Sequence, residues 1–289
     1  MILRSLLKRL IVLVATASAF ALYDGEAASC VWKVTSPQGG TLYLGGSVHA
    51  LRSKDYPLPL PFNRALQASS RLVFEVDPAA LKGTTKKLVK AGQYSGSDDL
   101  KKHVDPRTYD YVRRFFALRG IPEQKFSHYR PWLIEIMLEA APSENTQLGV
   151  EEYLKTRAVA EHKPIDGLES TEEHMLPFVG LSDRQSEALL LVFFVNLGRT
   201  DLPQGAKMLD AWHHGDVEAL SAELRGAYQD FPAFYERLIS DRNRRWIPKI
   251  EDYIKRRETV FVVAGAGHFG GRDGVVALLR ERGYTVEQL

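Results

Sequence analysis

The sequence predicts an α/β (α+β) fold: a mixed central sheet that opens on a β-hairpin, with a large, mostly helical middle segment. Three observations carry that expectation. Short apolar runs punctuated by glycine and proline gather towards the two ends of the chain, at 31–34, 41–45, 71–76 and 260–264. Between 78 and 255 the apolar residues recur instead at helical spacing. One strand-like run, 163–168, interrupts that helical stretch.

The chain starts with a basic cluster, Arg4, Lys8 and Arg9, followed by an apolar run over 10–22. Ala19-Phe20-Ala21 and Gly25-Glu26-Ala27 both offer small-residue cleavage patterns. Residues 1–28 therefore read as a secretory signal peptide, cut after Ala21, Ala27 or Ala28, and the mature protein is expected in the periplasm or outside the cell. The apolar run falls short of the ~20 residues that span a bilayer, so no membrane span is expected after cleavage. Cys30 is the single cysteine, which excludes an internal disulfide and a cysteine-built zinc site. It reads as a partly buried thiol at the start of the first strand.

The hairpin is expected from 31–34 and 41–45, joined by Pro37-Gln38-Gly39-Gly40. A short helix follows at 62–68 and a strand at 71–76. In the middle segment, Tyr109, Val112 and Phe116 mark a helix over 107–118, and others are expected over 131–140 and 149–161. Ser182-Asp183-Arg184-Gln185 is a capping signature that opens a helix through 197. Trp246, Ile247, Ile250 and Ile254 form one stripe of a helix over 241–255. The run 260–264 is continuously apolar, as in a strand covered on both faces. A helix over 274–281, ended by Gly283, and a strand over 284–287 complete the chain. One domain over 31–289 is expected, with 78–255 as a helical insertion within it.

Hydrophobic residues make up 45% and charged residues 26%, enough to bury a core, and the net charge is only +2. No basic stripe interleaved with aromatics is present, so no nucleic-acid partner is expected. Arg242, Arg244 and Arg245 fall on a helical pattern and read as a solvated face with room for one inward arginine.

The chemistry is expected at two Gly-x-x-His segments. Residues 41–44 lead into Gly45-Gly46-Ser47-Val48-His49, and 260–264 lead into Gly265-Ala266-Gly267-His268. In open α/β sheets ligands bind beyond the carboxyl ends of strands, so parallel neighbours would set His49 and His268 on one edge. Glu75 sits near the end of one strand and Glu169 just past another. If these strands share a sheet, the four side chains could converge. Two imidazoles and one or two carboxylates suit a divalent transition metal, with Mn, Co or Zn as the candidates. Two unrelated loop histidines fit the same spacing. His174, beside Glu172 and Glu173, reads as part of a polar helix face, and His103, His128 and His162 have no partner at ligand spacing.

Taken in order, several segments resemble the TraB/GumN family: Trp32-Lys33-Val34, 41–49, Gly167-Leu168-Glu169, Gln185, 242–246, 263–268 and 279–284. The resemblance spans about 31–289. It implies a fold similar to the erythromycin-esterase and ChaN-like proteins. It also implies kinship with the Tiki proteases, understood as metal-dependent with paired Gly-x-x-His motifs and glutamates. His49 and His268 match those histidines, and Glu75 and Glu169 match acidic landmarks. Arg242 matches a family arginine suited to binding a substrate carboxylate or orienting a glutamate. Gly46 replaces a leucine-like residue, and Glu151 stands where aspartate is common. The expected function is an exported metal-dependent hydrolase, a peptidase acting on a peptide or other small polar substrate. A metal-independent esterase-like hydrolase and a non-catalytic peptide or glycan binder stay open.

Overall fold

The computed structural model describes residues 28–139, 147–197 and 203–289. The expected signal peptide, apart from its last residue Ala28, lies outside the described residues. A six-stranded sheet of order β6-β4-β7-β2-β1-β8 forms the centre. Its strands are β1 (Val31–Thr35), β2 (Thr41–Ser47), β4 (Arg71–Val76), β6 (Ile165–Glu169), β7 (Val260–Gly265) and β8 (Thr285–Gln288). A two-residue pair, β3 (Ala50–Leu51) with β5 (Gln147–Leu148), lies apart from it.

The α+β expectation holds, and the sheet is mixed. β6, β4, β7 and β2 run parallel, while β1 lies antiparallel to β2 and β8 antiparallel to β1. The register sets Ser47 opposite Gly265 and Val76 opposite Glu169. All four parallel strands therefore end on one edge, the edge where α/β sheets place ligands. The alternation of buried and half-exposed residues in β1 matches a strand near a sheet margin. In β7, Val260 to Ala264 are all buried, as apolar strands in the middle of parallel sheets are.

Between β4 and β7 the described residues are mostly helical. Pro78–Ala91, Pro106–Ala117, Pro131–Glu139, Val150–Ala160, Asp183–Leu197, Pro203–His213, Val217–Ala227 and Asp241–Lys255 are the principal helices. The capping signature before Asp183 forms as expected: Ser182 Oγ accepts from the Gln185 amide at 3.3 Å, and Gln185 Oε1 accepts from the Ser182 amide at 3.0 Å. Helix Asp241–Lys255 buries Trp246, Ile247, Ile250 and Ile254 against the sheet core, with Arg242 and Asn243 inward beside them. Arg244 and Arg245 stay exposed, so one inward arginine is realised. Directly before this helix, Glu236–Ser240 forms one turn of π-helix, a wide turn common near functional sites. Cys30 is wholly rather than partly buried, and burial, with Asp216 adding, pushes its thiol up to about 12. Among the described residues, no helix is long and apolar enough to cross a membrane.

One close approach ties the His49 segment to the helix that carries Glu151. A Cβ on Gly149 would lie 2.4 Å from the His49 carbonyl oxygen and 2.7 Å from that of Val48. Both neighbours are backbone, so the two segments must part to admit a methyl group. Gly149→Ala is expected to lower stability by about 1–3 kcal/mol, the usual cost of overpacking. Urea titration checks this, and an unchanged midpoint would show that residues 48–49 shift freely.

Candidate active site

The carboxyl edge of the sheet carries a buried ionic network with Arg242 at its centre. Arg242 is 3% exposed. Its Nε donates to Glu169 at 3.0 Å, and its Nη2 bonds both Glu75 and Glu169. Its Nη1 donates to the Leu238 carbonyl and to His268 Nε2, each at 3.2 Å. The guanidinium also lies over the Trp246 ring, 4.9 Å from its centroid. Trp246 Nε1 donates to Glu169 Oε2 at 3.1 Å, so both oxygens of Glu169 are held. Glu75 Oε1 accepts from the Gly265 amide at 2.8 Å, which links the end of β4 to the end of β7.

These contacts decide the protonation states. Burial alone would raise both carboxyls. For Glu75 the charge of Arg242 outweighs burial and holds it well below the ordinary carboxylate range. For Glu169, hydrogen bonds from His174 and Arg242 outweigh burial and lower it. Arg242 is raised despite its burial, because both carboxylates face it. His268 is pushed down to about 3, by burial first, with the Arg242 charge adding and Glu75 and Glu169 opposing. Its tautomer follows from Asn243, whose Nδ2 donates to the carbonyls of His268 and Asp273 at 3.1 and 2.8 Å. Asn243 Oδ1 is left to accept from His268 Nδ1 at 2.7 Å, and Nε2 becomes the acceptor facing Arg242. His268 is thus a neutral ring with both nitrogens occupied.

In front of this network lies a pocket of about 510 Å³, lined by His49, Glu75, Glu151, His174 and the apolar side chains of Phe74, Val76 and Leu81. Glu151 accepts from Ser47 Oγ at 2.7 Å. Its pKa is raised, first by burial and then by the Glu75 charge, with His49 and the Ser47 hydroxyl offsetting only part. His174 stands one turn beyond Glu169, on the short helix Thr171–Met175, and its Nδ1 lies 2.7 Å from Glu169 Oε1.

The five residues singled out in the sequence divide into two layers. His49 and Glu75 face the pocket; Glu169, Arg242 and His268 stand behind it. Two residues of the site were not among those five. His174 belongs to the site rather than to a solvated helix face, and Ser170 shows why: its hydroxyl accepts from the Glu173 amide at 3.1 Å, starting the helix so that residue 174 turns back onto Glu169. The capping pattern Ser170-x-x-Glu173 carried that signal. Glu151 is the other, on the first turn of Val150–Ala160, which Gly149 presses against the His49 segment. His103 also has partners that spacing did not reveal, Asp98 and Asp183, each at 2.7 Å.

Glu75, Glu169 and His174 could hold a metal ion: one ligand atom from each lies within 4.8 Å of the others. Two carboxylates and an imidazole suit a divalent ion in donor type. Of the four ligands expected from the sequence, this group contains the two glutamates. His49 lines the pocket that Glu75 also lines, and His268 gives its free lone pair to Arg242.

The model of the TraB/PrgY/gumN family matches residues 30–288. Among curated proteins, the chain is similar to the uncharacterised protein YbaP of Escherichia coli, at 22% identity over 86% of this chain and 90% of that one. An uncharacterised protein of Treponema pallidum is 22% identical over 87% of this chain and 80% of its own length. The metalloprotease TIKI1 of Danio rerio is 24% identical over 85% of this chain, which spans 60% of that relative. No solved structure matches the chain.

The state of His268 has a consequence for stability. Between the ordinary value of 6.5 and the folded value of about 3, the unfolded chain binds a proton at this ring that the folded chain does not. Stability is therefore present above 6.5 and falls as pH drops through that window. Glu75 and Glu169, both lowered, add their loss only below the ordinary carboxylate value of 4.5. Urea unfolding between pH 6.5 and 4.5 is expected to show a slope that shrinks in His268→Gln, by up to ~1.4 kcal/mol per pH unit. An identical slope in the variant would count against a neutral His268.

Proposed function

The chain belongs to the TraB/PrgY/gumN family, and from that membership we propose that it is an exported hydrolase, a peptidase that cleaves peptides or other small polar substrates in the periplasm. The observation that carries this reading is the pocket on the carboxyl edge of the sheet, where Glu151, His49, Glu75 and His174 face one volume large enough for a short peptide segment. The name of the zebrafish relative, a metalloprotease, supports it.

Glu151 is the proton-transfer group. Its raised pKa brings it closer to neutrality than an ordinary glutamate, as a general acid–base needs. It takes a proton from the attacking water and delivers it to the leaving amine, while Ser47 fixes one of its oxygens. His49 flanks the same volume and orients water or substrate. Phe74, Val76 and Leu81 hold an apolar side chain of the substrate and keep bulk water out. Glu75, Glu169 and His174 would hold a divalent ion, Mn, Co or Zn, which when bound would polarise the scissile carbonyl as a Lewis acid. Without an ion, Arg242 positions the two glutamates, and Asn243 fixes the His268 ring beside it.

One observation favours a second reading, a metal-independent hydrolase with an esterase-like mechanism: Arg242 already supplies a positive charge to both glutamates. Peptide and ester libraries assayed with each ion, and again after exhaustive chelation, separate the two. Turnover is expected to fall at least ~100-fold in both Glu151→Gln and His49→Ala, with the circular-dichroism melt preserved. Undiminished turnover in both variants would sink the pocket assignment. Turnover that survives chelation selects the metal-independent mechanism, and tight ligand binding without turnover selects a binding protein.

A further inference from the structure

The three side chains that could hold an ion are the same three that Arg242 already holds. Its Nη2 bonds Glu75 and Glu169 and lies 3.0 Å from His174 Nδ1. An ion coordinated by these ligands at ~2.0–2.2 Å would lie in the middle of them. That point is where Nη2 sits, and two cations cannot share it. We infer that Arg242 is an internal counter-cation and that its engagement and divalent-ion binding at Glu75, Glu169 and His174 exclude one another. The inference rests on reading this group as ion-holding.

The charges agree with an exchange. Two carboxylates against one guanidinium leave one negative charge over, and a divalent ion in its place balances both. Taking Arg242 away without a replacement would leave two buried carboxylates side by side, which a low-dielectric site does not tolerate. The arginine therefore keeps the apo centre assembled, and the ion takes over that task.

The exchange also frees a ligand. His268 Nε2 now accepts from Arg242 Nη1 and lies 3.9 Å from Glu75 Oε1. Once Nη1 leaves, that lone pair is unpaired and adjacent to the ion-holding group, while Asn243 still fixes Nδ1 as the protonated nitrogen. His268 becomes an ion ligand only after Arg242 withdraws. The π-helical turn Glu236–Ser240, directly before Arg242, gives the helix a wide segment in which such a change can be absorbed.

Cobalt binding tests this, read by the visible absorption of Co²⁺ and by calorimetry on the purified protein. Arg242→Met is expected to bind Co²⁺ at least tenfold more tightly than the wild type, and Arg242→Lys, which keeps a cation, no more tightly. The gain in Arg242→Met should vanish when His268→Gln is added. Equal or weaker binding in Arg242→Met overturns the inference and leaves the ion site standing if the wild type binds one equivalent. Failure of both proteins to bind overturns the inference and the ion site together. Should Arg242→Met not fold, the wild type alone decides. The side-chain N–H resonance of Arg242, protected by Glu169, is followed by nitrogen-15 NMR as Zn²⁺ is added. Its loss of protection at saturation supports exclusion; an unchanged resonance refutes it.

Discussion

Two carboxylates end neighbouring parallel strands in the interior of this protein, and the guanidinium of Arg242 is what permits it. Buried acids of like charge drive each other and their surroundings towards protonation. Here a single planar cation reaches both, because Arg242 is buried on the first turn of the helix Asp241–Lys255. Its remaining donors are used as fully: one holds the Leu238 carbonyl and another the His268 ring. Much of the neighbourhood then follows. Trp246 closes over the guanidinium and caps Glu169, and Asn243 locks the imidazole that faces Arg242.

The result is a site in two layers with different electrostatics. The rear layer is saturated with hydrogen bonds around one guanidinium, which holds its carboxylates ionised. The front layer is not. Glu151 feels the Glu75 charge without an arginine of its own, and His49, Ser47 and His174 relieve only part of it. Glu75 belongs to both layers, bonded to Arg242 behind and open to the pocket in front. Burial and the neighbouring Glu75 charge thus raise Glu151, while Arg242 holds Glu75 and Glu169 low, though all three have the same side chain.

Much of the frame was legible in the sequence, because strand patterning is local. The apolar runs and their terminal glycines marked β2 and β7, and the acids marked the ends of β4 and β6. That these strands lie parallel and adjacent made the shared edge real. What the sequence hid was orientation. His174 follows two glutamates, which looked like a polar face, yet the Ser170 cap rotates it onto Glu169. Glu151 lies a hundred residues from its partner Ser47, and only the close packing of Gly149 against the His49 backbone brings them together. Arg242 was legible as a residue of interest, but its bonds to both glutamates are a property of the packed helix.

The position of β7 shapes how the chain can fold. It is the common neighbour of β2 and β4, which precede it by some two hundred residues and do not touch each other in the sheet. Until 260–265 have been made, the earlier strands have no shared partner, and the helix bearing Arg242 has no complete edge to close. Such long-range closure is slow, since distant segments must meet before any contact rewards the search. A nascent chain of this topology stays open until β7 has been made.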